Sequence, residues 1–254
     1  MNPFELTGRV AVITGGNGGI GLGMARGLAR AGATVVLAGR NPDKGAGAAD
    51  GLRALGATAA FLPVDVIQPE SCRTLIASVE QQFDRLDILV NNAGMSVRKA
   101  PQDITPVEWH TVMDTNLTGA LYCSQAAYPA MKHGGAGKII CIGSMMAIFA
   151  ASYAAAYGAS KAGIVQLART LAVAWAADNI QVNSILPGWI STDLTQSARS
   201  EVPGLDARVL ARTPAGRWGV PDDLSGIAVF LASPASDFIT GAAIPVDGGF
   251  SIQS

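Results

Sequence analysis

The chain predicts an α/β fold, one doubly wound parallel sheet of about seven strands with helices on both faces. Three observations carry this. Short apolar runs rich in β-branched residues alternate with longer helical patterns from end to end. The runs are continuously apolar rather than alternating, as strands covered on both faces should be. No linker, low-complexity segment or long repeat breaks the order, so 1–254 reads as a single domain.

The elements follow in order. Val10–Thr14 is a buried strand, and Gly19–Ala31 the helix after it. Thr34–Ala38 is the second strand, followed by a helix-prone stretch to Leu55. Ala59–Val64 is the third strand, with a helix from about Pro69 to Phe83. Asp87–Val90 is the fourth, and a long helical pattern runs from about Pro106 to Lys132. Lys138–Ile142 is the fifth strand and Ser152–Ala177 a long helix. Gln181–Ile185 is the sixth strand, Asp222–Ala232 is helical, and Ala243–Val246 is a short last strand. The longest stretch without a clear period lies at about 190–220. A long irregular segment late in a compact fold predicts a substrate lid.

Composition narrows the function. Of 254 residues, 49% are hydrophobic and 15% charged, so much of the surface is expected to be covered, by helices or by subunits. The net charge of −1, without a basic block, argues against nucleic acid and anionic membranes as partners. No run is apolar and long enough to span a bilayer, and the N-terminus has no signal-peptide pattern. The three cysteines, Cys72, Cys123 and Cys141, form no CxxC pair and read as buried free thiols. A cytoplasmic location is expected. With only His110 and His133, neither a histidine triad nor a metal site is expected.

Two motifs carry chemistry. Thr14-Gly15-Gly16-Asn17-Gly18-Gly19-Ile20-Gly21 follows the first strand and opens the first helix. Glycines there let the chain turn sharply and let a pyrophosphate approach the amides, while the helix N-terminus offers free N–H groups. A dinucleotide is expected on Gly15, Asn17, Gly18, Gly19, Ile20 and Gly21. Where NAD-binding sites hold a carboxylate for the ribose 2′-hydroxyl, this chain has Gly39 and then Arg40. Arg40 can pair with a 2′-phosphate, so NADP(H) is preferred. The glycine turn itself carries no basic residue, which leaves NAD(H) possible. The second motif is Tyr157-Gly158-Ala159-Ser160-Lys161. One helical turn apart, the lysine can favour the phenolate of Tyr157 and make it an acid–base group near neutral pH.

In this order and spacing the motifs resemble the short-chain dehydrogenase/reductase family over essentially the whole chain. Further matches are Asp65 after the third strand, Asn91-Asn92-Ala93-Gly94 after the fourth, Asn116 in the long helix, Ser144 after the fifth strand, and Pro187-Gly188 with Thr192 after the sixth. The resemblance implies a Rossmann-type fold and a hydride transfer between a nicotinamide cofactor and a secondary alcohol or ketone. It implies Tyr157 as proton donor and acceptor. Lys161 would lower the tyrosine pKa and hold the nicotinamide ribose, Ser144 would bond the substrate oxygen, and Asn116 would hold a relay water. Asp65 and Val66 would meet the adenine, Asn92, Ala93 and Gly94 would support the adenosine side, and Ile190 and Thr192 would meet the carboxamide. A homotetramer is the usual assembly of the family. Tyr153, eight residues before Lys161, is too far along a helix to share its ammonium.

Substrate contacts are expected from Ser144, Met146, Tyr157 and Trp189, with Arg98 as the pocket's cation. The segments Ala93–Lys99 and Thr213–Gly219 resemble the gluconate 5-dehydrogenase and deoxygluconate dehydrogenase branch, which implies a sugar acid or polyol. That branch often has two basic residues after its Asn-Asn-Ala-Gly motif; here Val97 replaces the first and Arg98 matches the second. A 3-oxoacyl thioester reductase is the alternative. A non-catalytic dinucleotide sensor would have lost part of the Asn116, Ser144, Tyr157 and Lys161 set, and this chain has all four.

Overall fold

The computed structural model describes residues 2–253; Met1 and Ser254, the ends of the expected domain, lie outside the described residues. The strands are β1 (Val10–Thr14), β2 (Thr34–Gly39), β3 (Ala59–Pro63), β4 (Ile88–Asn91), β5 (Gly137–Ile142), β6 (Ile180–Pro187) and β7 (Ala243–Val246). They form one parallel sheet in the order β3-β2-β1-β4-β5-β6-β7. Register is continuous across its centre, with Val12 beside both Val36 and Leu89, and Ile140 beside both Val90 and Asn183. After β3 the chain crosses over to β4 on the far side of β1, so the strand order reverses between β1 and β4. In such sheets, ligands bind at that switch point, beyond the carboxyl ends of the strands.

Side chains alternate along each strand and build two cores. Val10, Val12, Val36 and Leu89 face α3 (Pro69–Phe83), α5 (Gly119–His133) and α6 (Ala155–Trp175). Ala11, Ile13, Val35 and Val90 face α1 (Gly19–Arg30), α2 (Pro42–Ala54) and α9 (Ser225–Ala232). Local signals start the helices. Asn41 caps α2 by accepting from the Lys44 amide, with Pro42 at its first turn. Thr105 and Glu108 form a capping box on α4 (Pro106–Met113). Asp84 ends α3 in the left-handed region at φ 61°.

Three expectations change. The helix expected over 106–132 is divided into α4 and α5 by a π-helical turn at Asp114–Thr118, and Asn116 lies in that turn. The helix expected from Ser152 begins at Ala155, so Tyr153 precedes it and the spacing argument made for Tyr153 on a helix does not apply. The segment expected to be irregular holds two helices, α7 (Asp193–Glu201) and α8 (Leu205–Arg212). Each buries only one or two residues. Ala198, Leu205 and Val209 meet Trp218 and the half-buried Trp189 in a small separate cluster. Both helices are only eight or nine residues long, too short for their few apolar positions to stand out from the irregular sequence around them.

Candidate active site

The glycine turn is built at the carboxyl end of β1. Gly15 has φ +62°, and Gly21 sits so close to the turn that a Cβ there would lie 2.6 Å from the Gly15 carbonyl oxygen. Only glycine fits both places. Thr14 Oγ1 accepts from the amides of Asn92 and Ala93 at 3.0 and 3.1 Å, and the Asn92 amide group donates to the carbonyls of Thr14 and Gly15. The end of β4 therefore holds the turn in place. Gly18 caps α1 with no side-chain bond, which leaves the first amides of the helix free for an anion.

From this turn a cleft of about 350 Å³ runs past Asn92, Ala93 and Gly94 to Ser144, Tyr157 and Lys161, and on to Pro187, Gly188, Ile190 and Thr192. Asn17, Gly18, Gly19 and Ile20 form its near wall. A second cavity, about 270 Å³, joins Gly15 and Asn17 to Arg40, Asp65 and Val66. Nearly every residue expected at the cofactor therefore lines one of two adjoining cavities. Gly21 lines neither and serves the packing of the turn. The free helix amides and the glycine cradle fit a dinucleotide phosphate, and the second cavity fits an adenosine end. Arg40 is exposed there. A cation that the sequence did not reveal stands nearby. Lys44 Nζ would lie 3.2 Å from a Cβ at Gly18, and it pairs with Asp193 of α7 at 3.4 Å. It comes from the first turn of α2, so only folding brings it to the glycine turn.

At the other end of the cleft, Lys161 is buried and donates to the Ile142 carbonyl at 2.7 Å. Burial holds its pKa down at about 8, against a smaller opposing influence of Cys141. Its Nζ is 5.6 Å from the centre of the Tyr157 ring. Burial pushes Tyr157 above its ordinary pKa, and the Ser144 hydroxyl and the positive charge of Arg98 oppose that rise. Ser144 and Arg98 thus favour the phenolate in this geometry. Ser144 Oγ also accepts from the Met146 amide at 3.1 Å, which fixes it at the start of its turn.

Asn116 lies behind this group. Its Oδ1 accepts from the Met95 amide, and its Nδ2 donates to the Met95 carbonyl and to Ser160 Oγ. Both Nδ2 protons are engaged, so a water held by Asn116 would be bonded through the second lone pair of Oδ1 or through the main chain. Arg98, expected as the cation of the substrate pocket, is itself engaged. It donates to Glu201 at 3.0 Å and to the Leu194 carbonyl at 2.6 Å, and it lines neither cavity. Met146 and Trp189 line a third, larger cavity of about 590 Å³, together with Tyr153 and Phe149. No cluster of potential metal ligands exists among the described residues.

Comparison with known proteins agrees with this geometry. A family model described as enoyl-(acyl carrier protein) reductase matches residues 15–251. The 2-dehydro-3-deoxy-D-gluconate 5-dehydrogenase of Escherichia coli (strain K12) is 40% identical over 254 residues, covering 98% of each chain. The gluconate 5-dehydrogenase of Gluconobacter oxydans (strain 621H) is 36% identical, over 98% of this chain and 97% of its own. The crystal structure of a gluconate 5-dehydrogenase from Burkholderia cenocepacia J2315, in complex with NADP and tartrate, superposes with a TM-score of 0.95 at 40% identity, covering 100% of this chain and 99% of that one. With its glycine turn, its tyrosine–lysine pair and its seven-stranded parallel sheet, the chain belongs to the short-chain dehydrogenase/reductase family of oxidoreductases.

Proposed function

We propose that this protein is an NADP(H)-dependent dehydrogenase that interconverts a secondary alcohol and a ketone on a sugar acid. The observation that carries the reading is that Ser144, Tyr157 and Lys161 stand at one end of the cleft whose other end is the glycine turn. NADP(H), when bound, supplies or accepts the hydride. The residues do the rest. Tyr157 gives a proton to the carbonyl oxygen in reduction and takes it back in oxidation. Ser144 hydrogen-bonds the same oxygen as negative charge grows on it. Lys161 holds the ribose hydroxyls, and its ammonium joins Ser144 and Arg98 in favouring the phenolate. Asn116 holds a relay water. Arg98 ties α7 down through Glu201 and Leu194, which makes 190–220 the lid of a single domain. Met146 and Trp189 line the substrate side.

NADP(H) is favoured because Arg40 faces the adenosine cavity with no carboxylate at Gly39, and Lys44 adds a second positive charge at the turn. Relatives named for gluconate and deoxygluconate support the sugar-acid class. We also place the enzyme in the cytoplasm as a homotetramer. No helix among the described residues is long and apolar enough to cross a membrane. Val173 on α6 and Phe238 before β7 are exposed apolar side chains of the kind a partner covers. A monomer mass by light scattering at micromolar concentration would rule the assembly out.

The test is a steady-state panel of gluconate-type sugar acids, neutral polyols and 3-oxoacyl thioesters, each with both cofactors. Sugar acids with NADP(H) are expected to give the highest kcat/KM, and a clear preference for thioesters would replace the reading. In the same panel, Arg40→Ala should cut the preference for NADP(H) over NAD(H) by roughly tenfold to a hundredfold, the scale of one hydrogen bond to a charged group. An unchanged ratio would mean that Arg40 does not read the 2′-phosphate.

A further inference from the structure

The large cavity beyond Ser144 contains a cation that the proposed chemistry leaves unused. Arg212 closes α8, and its guanidinium lies 4.7 Å from the centre of the Phe149 ring and 4.5 Å from that of Phe250. Packing against two rings at once fixes a planar group and lowers its contact with water. Arg208 on the same wall is exposed and reaches only the Pro203 carbonyl, at 3.5 Å, whereas other arginines of this region are paired. Arg98 holds Glu201 at 3.0 Å, Arg199 holds Asp206 at 3.2 Å, and Arg217 holds Asp223 at 2.7 Å. Arg212 has no carboxylate partner among the described residues, and its Nε is buried without a hydrogen bond.

Trp189, which lines the same cavity, also has its Nε1 buried without a partner. Buried polar groups in native proteins are almost always bonded, so two wall residues of one cavity that each keep an unbonded donor point to an absent acceptor. A planar guanidinium fixed by aromatic rings matches the two oxygens of a carboxylate. The cavity begins at Met145 and Met146, directly after Ser144. An acid seated on Arg212 would therefore extend toward Tyr157.

We propose that Arg212, with Trp189 on the same wall, anchors the carboxylate of an organic-acid substrate at the outer end of this cavity. The anchor is thus Arg212 rather than Arg98, whose charge is already met by Glu201. This assignment rests on the sugar-acid reading above, and it adds the residue that selects the acid over its neutral analogue.

The experiment compares gluconate with its neutral counterpart, glucitol, in the wild type, Arg212→Met and Arg212→Lys. Methionine keeps bulk against Phe149 and Phe250, and lysine keeps charge without the planar pair of donors. The ratio of kcat/KM for gluconate to that for glucitol should fall by roughly tenfold to a hundredfold in Arg212→Met and by less in Arg212→Lys. A ratio unchanged in both variants overturns the proposal. If the wild type turns over neither compound, the sugar-acid reading has failed, and the anchor is then read by binding alone. Gluconate is titrated into NADP-loaded protein carrying ¹⁵N-labelled tryptophan, with the Trp189 indole signal assigned through Trp189→Phe. A shift of that signal in the wild type, lost in Arg212→Met, sustains the carboxylate site, and no shift overturns it. Should Arg212→Met fail to fold, Arg212→Lys decides both arms.

Discussion

Where the strands begin, buried charge is matched; where they end, it is left open. At the start of β4, Asp87 accepts from the Val10 amide at 2.9 Å and from Arg9 and Arg85 at 2.8 and 2.6 Å. At the start of β5, Lys138 pairs with Asp237 at 2.7 Å. At the opposite end of the sheet, Lys161 is buried against a single backbone carbonyl, and the half-buried Arg212 has no carboxylate partner among the described residues. Arg40 stands exposed beside a cavity. Buried charge is tolerated when it is paired and bonded. The lower end satisfies that rule within the chain, and the upper end satisfies it only with a ligand in place. An unmatched buried cation is thus a better guide to the functional end of this sheet than burial or charge alone.

The largest expected effect falls at the upper end. Tyr157→Phe removes the proton donor and keeps the ring, so turnover should drop by roughly 10²–10⁴-fold with cofactor binding little changed. Tyr153→Phe, in the neighbouring cavity, should change turnover by less than about tenfold. Steady-state rates and cofactor titration of both variants check this, and the reverse ranking would move the acid–base role to Tyr153.

Lys161→Met tests the contrast in stability. The folded-state pKa of Lys161, about 8, is below the ordinary lysine value of 10.5, so the folded protein holds this proton less tightly than the unfolded chain does. The resulting penalty is fully present below pH 8. It shrinks as pH rises from about 8 to about 10.5, where the unfolded chain also releases the proton. At roughly 1.4 kcal/mol per pKa unit, cofactor-free wild type should be less stable than Lys161→Met by about 3 kcal/mol at pH 7. Urea unfolding at pH 7 and pH 10 reads both values. A variant less stable than wild type at pH 7 would show that the buried ammonium is already compensated within the chain.

Asp87→Asn should act in the opposite direction. Burial alone would raise the Asp87 pKa, but hydrogen bonds from Arg85, the Val10 amide and Arg9 outweigh it and bring it below the ordinary value. A lowered carboxylate pKa contributes stability that is present above the unfolded value of about 3.9 and is lost as pH falls through the folded value. The variant should lose about 2 kcal/mol at pH 7, the scale of one hydrogen bond to a charged group. It should also lose less than wild type on acidification below about pH 4. Unfolding curves that respond to acid equally in the two proteins would remove Asp87 as the matched charge of the lower end.

The pattern of continuously apolar runs determined the doubly wound sheet, because strands covered on both faces leave no polar alternation and the crossovers between them must be helical. The strict backbone demands of a phosphate turn and of a tyrosine–lysine pair on one helical turn determined the two ends of the cleft. Such demands are local, so they are written as spacings. Four features were decided only by the tertiary structure. Lys44 reaches Gly18 from a different helix, Arg98 is drawn to Glu201 some hundred residues on, Asn116 sits in a π-helical turn with its side chain already engaged, and Arg212 is fixed by Phe149 and Phe250 from two distant segments. Whether a charged side chain is paired or free depends on which residues the fold carries to it from far along the chain. Spacing records neighbours one or two turns away and is blind to those, so the cations of the sequence could be counted but not sorted until the sheet and its lid were assembled.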